Sequence, residues 1–125
     1  MAFGAFIVDD QDDVRTLIRM IITAANGNLF VKGDAADGFD ALARVEELDP
    51  DVIVLDEMMP GMNGIEVARA IASRRPGQMM ILCSAYLDDA LRREAADAGI
   101  LLCLAKDDVD KIPAALRALA EPDVG

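Results

Sequence analysis

The sequence predicts an α/β fold: a single five-stranded parallel sheet with helices on both faces. Three observations carry this. Five apolar runs of strand length recur along the 125 residues. Most lack period-two alternation, which suits strands covered on both faces. Between and after them lie stretches whose apolar residues fall at helical i, i+3, i+4 spacing. Strands and helices alternating in this way make an open parallel sheet with right-handed crossovers.

The strand candidates are residues 5–8, 29–31, 52–55, 79–83 and 100–105. The first helical stripe is Val14, Leu17, Ile18, Ile21, Ile22 and Ala25. Asp12 and Asp13 stand at its start, where the helix dipole favours anions, and Gly27 stands where it should stop. Phe39, Leu42, Val45 and Leu48 form the second stripe, and Ile65, Ala68 and Ala72 a weaker third. Leu87, Leu91, Ala95 and Ala98 form the fourth, closed by Gly99. The fifth is Ile112, Ala115, Leu116 and Leu119, with Pro113 in its first turn, where a missing N–H costs little. No repeat, linker or low-complexity tract interrupts the pattern, and the closing "EPDVG" is too short to be a domain.

Composition narrows the function. The net charge of −11 argues against nucleic-acid binding, which needs clustered Lys and Arg. No apolar run approaches the ~20 residues of a membrane span, and no signal-peptide pattern opens the chain, so the sequence reads as cytoplasmic. There is no His, which removes His-based triads, His metal ligands and a His pH switch. Cys83 and Cys103 lie inside apolar runs and read as buried reduced thiols.

In open parallel sheets, functional groups gather beyond the carboxyl ends of the strands. Here the first strand ends in Asp9-Asp10, the third in Asp56-Glu57, the fourth in Ser84 and the fifth in Lys106. Singly, each has a plainer reading: helix-start acids, a cap for the fourth helix, a surface amine. Together they place three carboxylates, a hydroxyl and an amine on one edge. Two carboxylates ~4 Å apart cost about 4 kcal/mol at an effective dielectric of 20. One lysine leaves the cluster short of positive charge, so it calls for protonation or a cation. All-oxygen ligands suit Mg²⁺, which keeps waters and leaves room for a phosphoryl group. Lys106 and Ser84 could meet phosphoryl oxygens, and Asp56, on the middle strand, is the candidate nucleophile for an aspartyl-phosphate.

At this point the chain resembles the receiver domains of two-component response regulators, over essentially its whole length. The carriers are "FIVDDQ", "VIVLDEMMPGMNG", "LCSAY", "ADAGI" and Lys106, in that order. The resemblance implies a flavodoxin-like (βα)5 fold with strand order 2-1-3-4-5, and a receiver domain over residues 1–125 with no output domain in the chain. It implies that Asp56 accepts a phosphoryl group from a phosphohistidine on a sensor histidine kinase or histidine phosphotransfer protein. Asp10, Asp56 and the Met58 backbone carbonyl would bind Mg²⁺ directly, and Asp9 through water. Lys106 would pair with the phosphoryl oxygens, and Ser84 would move in to report the modification. Met58 and Tyr86 would tune dephosphorylation. The output is contact with a downstream protein target, or with a C-terminal output domain of a longer protein. Such a domain assists its own phosphorylation and dephosphorylation and is not otherwise an enzyme.

Two departures from the family's pattern matter. Its lysine is usually followed by proline across a cis bond, whereas here Asp107 follows Lys106. A cis bond without proline costs ~3–4 kcal/mol, so a trans bond and a rearranged loop are expected. The family's switching aromatic is replaced by Cys103, too small for that role, so the switch is muted or carried by another side chain. A redox pairing of Cys103 with Cys83 is the less favoured reading. Two other functions stay open. Asp10-Gln11-Asp12 echoes the Asp-x-Asp of haloacid-dehalogenase-type aspartate phosphatases, and a degenerate receiver would bind partners without phosphorylation.

Overall fold

The computed structural model describes residues 2–25 and 27–121. Strands and helices alternate as β1 (Phe3–Val8), α1 (Asp12–Ala24), β2 (Leu29–Ala35), α2 (Gly38–Leu48), β3 (Val52–Asp56), α3 (Gly64–Arg74), β4 (Met79–Ser84), α4 (Asp89–Asp97), β5 (Leu102–Ala105) and α5 (Ile112–Ala120). A 3₁₀ segment, Lys106–Lys111, leads into α5. All strand pairings are parallel, in the order β2-β1-β3-β4-β5. Every residue of β1 and β3 is buried, which explains their unbroken apolar runs.

The pleat sends alternate side chains to two separate cores. Phe6, Val8, Ile53, Leu55, Met80 and Leu82 pack on one face against Ala41 and Val45 of α2, Ile65, Ala68 and Ile71 of α3, and Ala95 of α4. Ala5, Ile7, Val52, Val54, Ile81 and Cys83 pack on the other against Ile18 and Ile22 of α1 and Ile112 and Leu116 of α5. Leu17 and Phe39 belong to predicted stripes but are largely exposed, so those stripes are narrower than the sequence suggests.

The remaining differences arise at edges and ends. β2 runs through Lys32, Gly33 and Asp34 to Ala35, well past the apolar run. It is an edge strand, so polar residues can point away from the core, and its pairing with β1 shifts register between Ala5 and Phe6. β5 begins at Leu102 because Ile100 closes the α4 terminus instead, donating its N–H to the Ala95 carbonyl at 2.9 Å. Gly99 takes φ +94° at that closure. Leu87 precedes α4, which is capped by the Asp88 side chain and not by Ser84. The acidic start of α1 and Pro113 in the first turn of α5 stand as expected. Gly27, with φ +83°, lies just past α1. Residues 122–125, most of the short tail, lie outside the described residues.

The turn after β3 decides where Asp56 sits. Gly61 takes φ +82°, and Asn63 caps α3 in a reciprocal capping box with Glu66. Pro60-Gly61 and Asn63-Gly64 are turn dipeptides from which a fixed φ and positive φ values are expected, but Gly64 is not in the positive-φ region. It is needed for space: a Cβ there would lie 2.4 Å from the Asp56 carbonyl oxygen and 2.8 Å from Leu82 Cδ1. Its N–H also donates to the Glu57 carbonyl at 2.9 Å. The helix start is thus packed directly on the end of the central strand. Gly64→Ala is expected to destabilise the protein by about 1–3 kcal/mol, the usual cost of overpacking, as measured by urea unfolding. An unchanged midpoint would mean that the turn can yield.

Candidate functional site

Because β1 and β3 are neighbours in register, Val8 opposite Leu55, their carboxyl ends bring Asp9, Asp10 and Asp56 together. One carboxylate oxygen from each lies within 4.8 Å of the others. Asp9 and Asp56 are buried, while Asp10 is exposed. Lys106, at the end of β5, reaches across the rim, its Nζ 2.8 Å from Asp56 Oδ1 and 3.3 Å from Asp9 Oδ2. The expected carboxylates and amine therefore converge.

Asp9 is the most tightly held. Its N–H donates to the Ala35 carbonyl at 3.1 Å, and its Oδ1 accepts the Gln11 N–H at 2.9 Å. With Lys106 on Oδ2, both carboxylate oxygens are engaged. Asp56 is less satisfied: its Oδ1 is paired with the Lys106 charge but accepts no well-aligned hydrogen bond. Burial raises the Asp56 carboxyl above its ordinary pKa; Lys106 and the Met58 N–H pull the other way, and the Asp9 charge reinforces the rise. Burial draws the Lys106 amine down, but the two carboxylates outweigh it and its pKa is raised. These residues fit a hard divalent cation: the donors are all oxygen, they converge, and one buried donor lacks an aligned partner.

Other predicted residues are placed differently. Ser84 is buried at the tip of β4, but its hydroxyl is turned into its own turn. It donates to the Tyr86 carbonyl at 2.8 Å and accepts the Tyr86 N–H at 3.2 Å. Met58 and Tyr86 stand out into solvent at 74% and 86% exposure, so neither fills the core, and each lies two residues beyond a strand end. Cys103 is only half-buried, against the expectation of a buried thiol, because β5 is an edge strand. Cys83 is buried in the α1/α5 core, whereas Cys103 packs against the other core. The two thiols therefore face opposite sides of the sheet and do not pair, and burial pushes Cys83 up to about 12. The Lys106–Asp107 bond is trans, and the chain after it winds directly into the 3₁₀ segment. Asp12 lies on α1, exposed and paired with Arg15.

Two residues escaped the sequence reading. Arg15 has a largely buried side chain that donates Nη1 to the Asp9 carbonyl at 2.6 Å and pairs with Asp12. Its i+3 spacing from Asp12 in an acid-rich stretch was the available signal. Glu57 has a buried Oε2 without a hydrogen-bond partner. Its carboxyl is raised by burial, partly countered by the Ile65 N–H and reinforced by Glu94, Asp56 and Glu66. A strand-end glutamate reads as solvated, and nothing in the sequence reveals that its Oε2 is buried or that Ile65 of α3 and Glu94 of α4 act on it.

The raised Asp56 carboxyl has a stability consequence. The folded state binds its proton more tightly than the unfolded state does. The stability it contributes is therefore full below the unfolded carboxylate pKa and lost as pH rises through the higher folded pKa. In chelator at neutral pH, Asp56→Asn is expected to raise Tm, by roughly 3–6 °C for each 1 kcal/mol relieved, and to flatten the fall in Tm between acid and neutral pH. A lower Tm in the variant would show that the Lys106 pair outweighs burial.

Comparison with known proteins agrees with this geometry. The family described as "Response regulator receiver domain" matches residues 5–117. The chain is 38% identical over 99 residues to the chemotaxis protein CheY of Thermotoga maritima, covering 79% of this chain and 81% of that one. It is 42% identical over 94 residues to a protein-glutamate methylesterase/protein-glutamine glutaminase of Myxococcus xanthus, covering 74% of this chain but only 27% of that longer protein. The crystal structure of the response regulator domain of Thermotoga maritima CheB superposes with a TM-score of 0.88 at 26% identity, covering 98% of this chain and 99% of that one. The match extends from β1 into α5 and so includes every strand that builds the acidic rim: the chain belongs to the response regulator receiver domain family.

Proposed function

We propose that this chain is the phosphoacceptor of a two-component phosphorelay, with Asp56 as the acceptor. The observation that carries the proposal is the buried Asp56 carboxylate, held against Lys106 beside Asp9 and Asp10. A carboxylate oxygen of Asp56 attacks the phosphorus of a phosphohistidine, the P–N bond breaks, and the imidazole leaves to take up a proton. Asp10, Asp56 and the Met58 backbone carbonyl would hold Mg²⁺, which when bound neutralises charge on the phosphoryl oxygens. Asp9, whose oxygens are already engaged by Gln11 and Lys106, would act through water. Lys106 stabilises the charge that spreads over the equatorial oxygens.

Phosphorylation adds about −1.5 to −2 charges where carboxylates already crowd. Ser84 would exchange its Tyr86 partner for a phosphoryl oxygen, and that rearrangement biases a protein-interaction face. With Cys103 in the aromatic's place, the displaced volume at β5 is small, so the response is muted or passes through another side chain. Met58 and Tyr86, both exposed and each two residues beyond a strand end, would set how readily water reaches the phosphoryl group. The donor would be a sensor histidine kinase or histidine phosphotransfer protein. The recipient of the signal would be a separate target or a C-terminal output domain, and the setting the cytoplasm. Residues 1–125 act as one receiver unit in this reading. No helix among the described residues is long and apolar enough to cross a membrane.

Incubation with acetyl phosphate and Mg²⁺, followed by intact mass measurement, tests the proposal. One phosphoryl group is expected on the wild type, none on Asp56→Asn, and none in chelator. Lys106→Ala is expected to slow the reaction by roughly 10²-fold, as for loss of one charge-stabilising donor. Equal phosphorylation of the wild type and Asp56→Asn would defeat the assignment. A wild type that stays unmodified with acetyl phosphate and with a phosphohistidine donor would favour a degenerate receiver.

A further inference from the structure

We infer that Arg15 is a positioning residue for cation binding: it fixes the β1–α1 turn, and with it the two acids that open onto the acceptor. The inference rests on the Mg²⁺ site proposed above. Asp10 is exposed, and no hydrogen bond to another described residue orients its carboxylate. Its position is therefore set by the backbone between Asp9 and the start of α1. Four contacts define that backbone, one of them the bond from the Arg15 N–H to the Gln11 carbonyl at 3.0 Å that opens α1. The Asp9 N–H is tied to the Ala35 carbonyl, the Gln11 N–H closes onto Asp9 Oδ1, and Arg15 Nη1 holds the Asp9 carbonyl at 2.6 Å. The last two involve charged side chains, and only Arg15 reaches the strand end from within α1.

Arg15 makes that contact as one arm of a clamp. Its other arm pairs with Asp12 in the first turn of α1, so one guanidinium ties the strand end to the helix start. The side chain is only 15% exposed, whereas the Asp12 carboxylate is 90% exposed. Burial and a carbonyl partner set Arg15 apart from a solvated surface ion pair, which would contribute little. A planar fork can bridge a carbonyl and a carboxylate at fixed angles, which a lysine ammonium does not reproduce. Groups that orient ligands from behind typically change metal affinity by 10–100-fold when removed.

Charge alone predicts the opposite sign, which makes the inference testable. A guanidinium near a divalent ion repels it, so its removal should tighten binding if Arg15 acts only as a charge. The test is isothermal titration calorimetry with Mg²⁺, repeated with Mn²⁺, on wild type, Arg15→Ala and Arg15→Lys. Circular dichroism and thermal melts in chelator establish that each variant is folded. The inference expects Arg15→Ala to weaken Mg²⁺ binding by about 10-fold or more. It expects Arg15→Lys, with the charge kept and the fork lost, to weaken it several-fold. Binding within two-fold of wild type in Arg15→Lys, or tighter binding in Arg15→Ala, overturns it. Should Arg15→Ala not fold, Arg15→Lys alone decides by the same criterion. A wild type that binds neither ion would instead overturn the site reading beneath it.

Discussion

The structure is organised around an electrostatic conflict that the fold does not relieve by itself. Three carboxylates from two strand ends lie within 4.8 Å of one another, two of them buried, with a single lysine between the buried pair. At an effective dielectric of 20, each such close pair of like charges costs about 3–4 kcal/mol. Solvation would ordinarily reduce that cost by letting the side chains separate. Here the sheet register and the Asn63-capped turn after β3 keep the strand ends together. A divalent cation and a phosphoryl group, whose charges have opposite signs, would each change this balance in a different direction, which suits a switch.

The rest of the molecule keeps these groups close. β1 and β3, which carry the acids, are the two strands buried throughout, and a hydrophobic core on each face holds their relative position. α3 begins directly on the Asp56 carbonyl, at Gly64, so Asp56 cannot shift without moving a helix start. Lys106 comes from the far edge of the sheet, and its amine stays charged because the carboxylates outweigh the burial that opposes charge. Ser84 is less committed: its partners lie within its own turn, so it can rearrange without unfolding anything.

Much of this was legible in the sequence because buried parallel strands write long apolar runs and end at polar residues. Asp9, Asp10, Asp56 and Lys106 all stand at such ends, and their convergence followed once the strands were aligned. Edges were harder to read. β2 continues through Lys32 and Asp34 because only part of an edge strand is covered, and Cys103 is half-buried for the same reason. Interactions through the backbone were harder still. The Ser84 turn, the Asp88 cap and the Arg15 clamp on the Asp9 carbonyl each depend on where a main-chain atom points, which residue spacing does not report. Gly64 was legible as a turn glycine, but the physical need is room and not a positive φ. Glu57 was obscured because its burial depends on tertiary packing, which a strand-end position does not report.

The most direct test of the central claim is an anomalous difference map from crystals grown with Mn²⁺. A single peak is expected at the rim, roughly 2.0–2.3 Å from carboxylate oxygens of both Asp10 and Asp56, the spacing at which small hard cations bind oxygen. A rim without a peak at saturating Mn²⁺, or an ion bound only elsewhere on this acidic surface, would contradict the claim that these strand ends form a cation site.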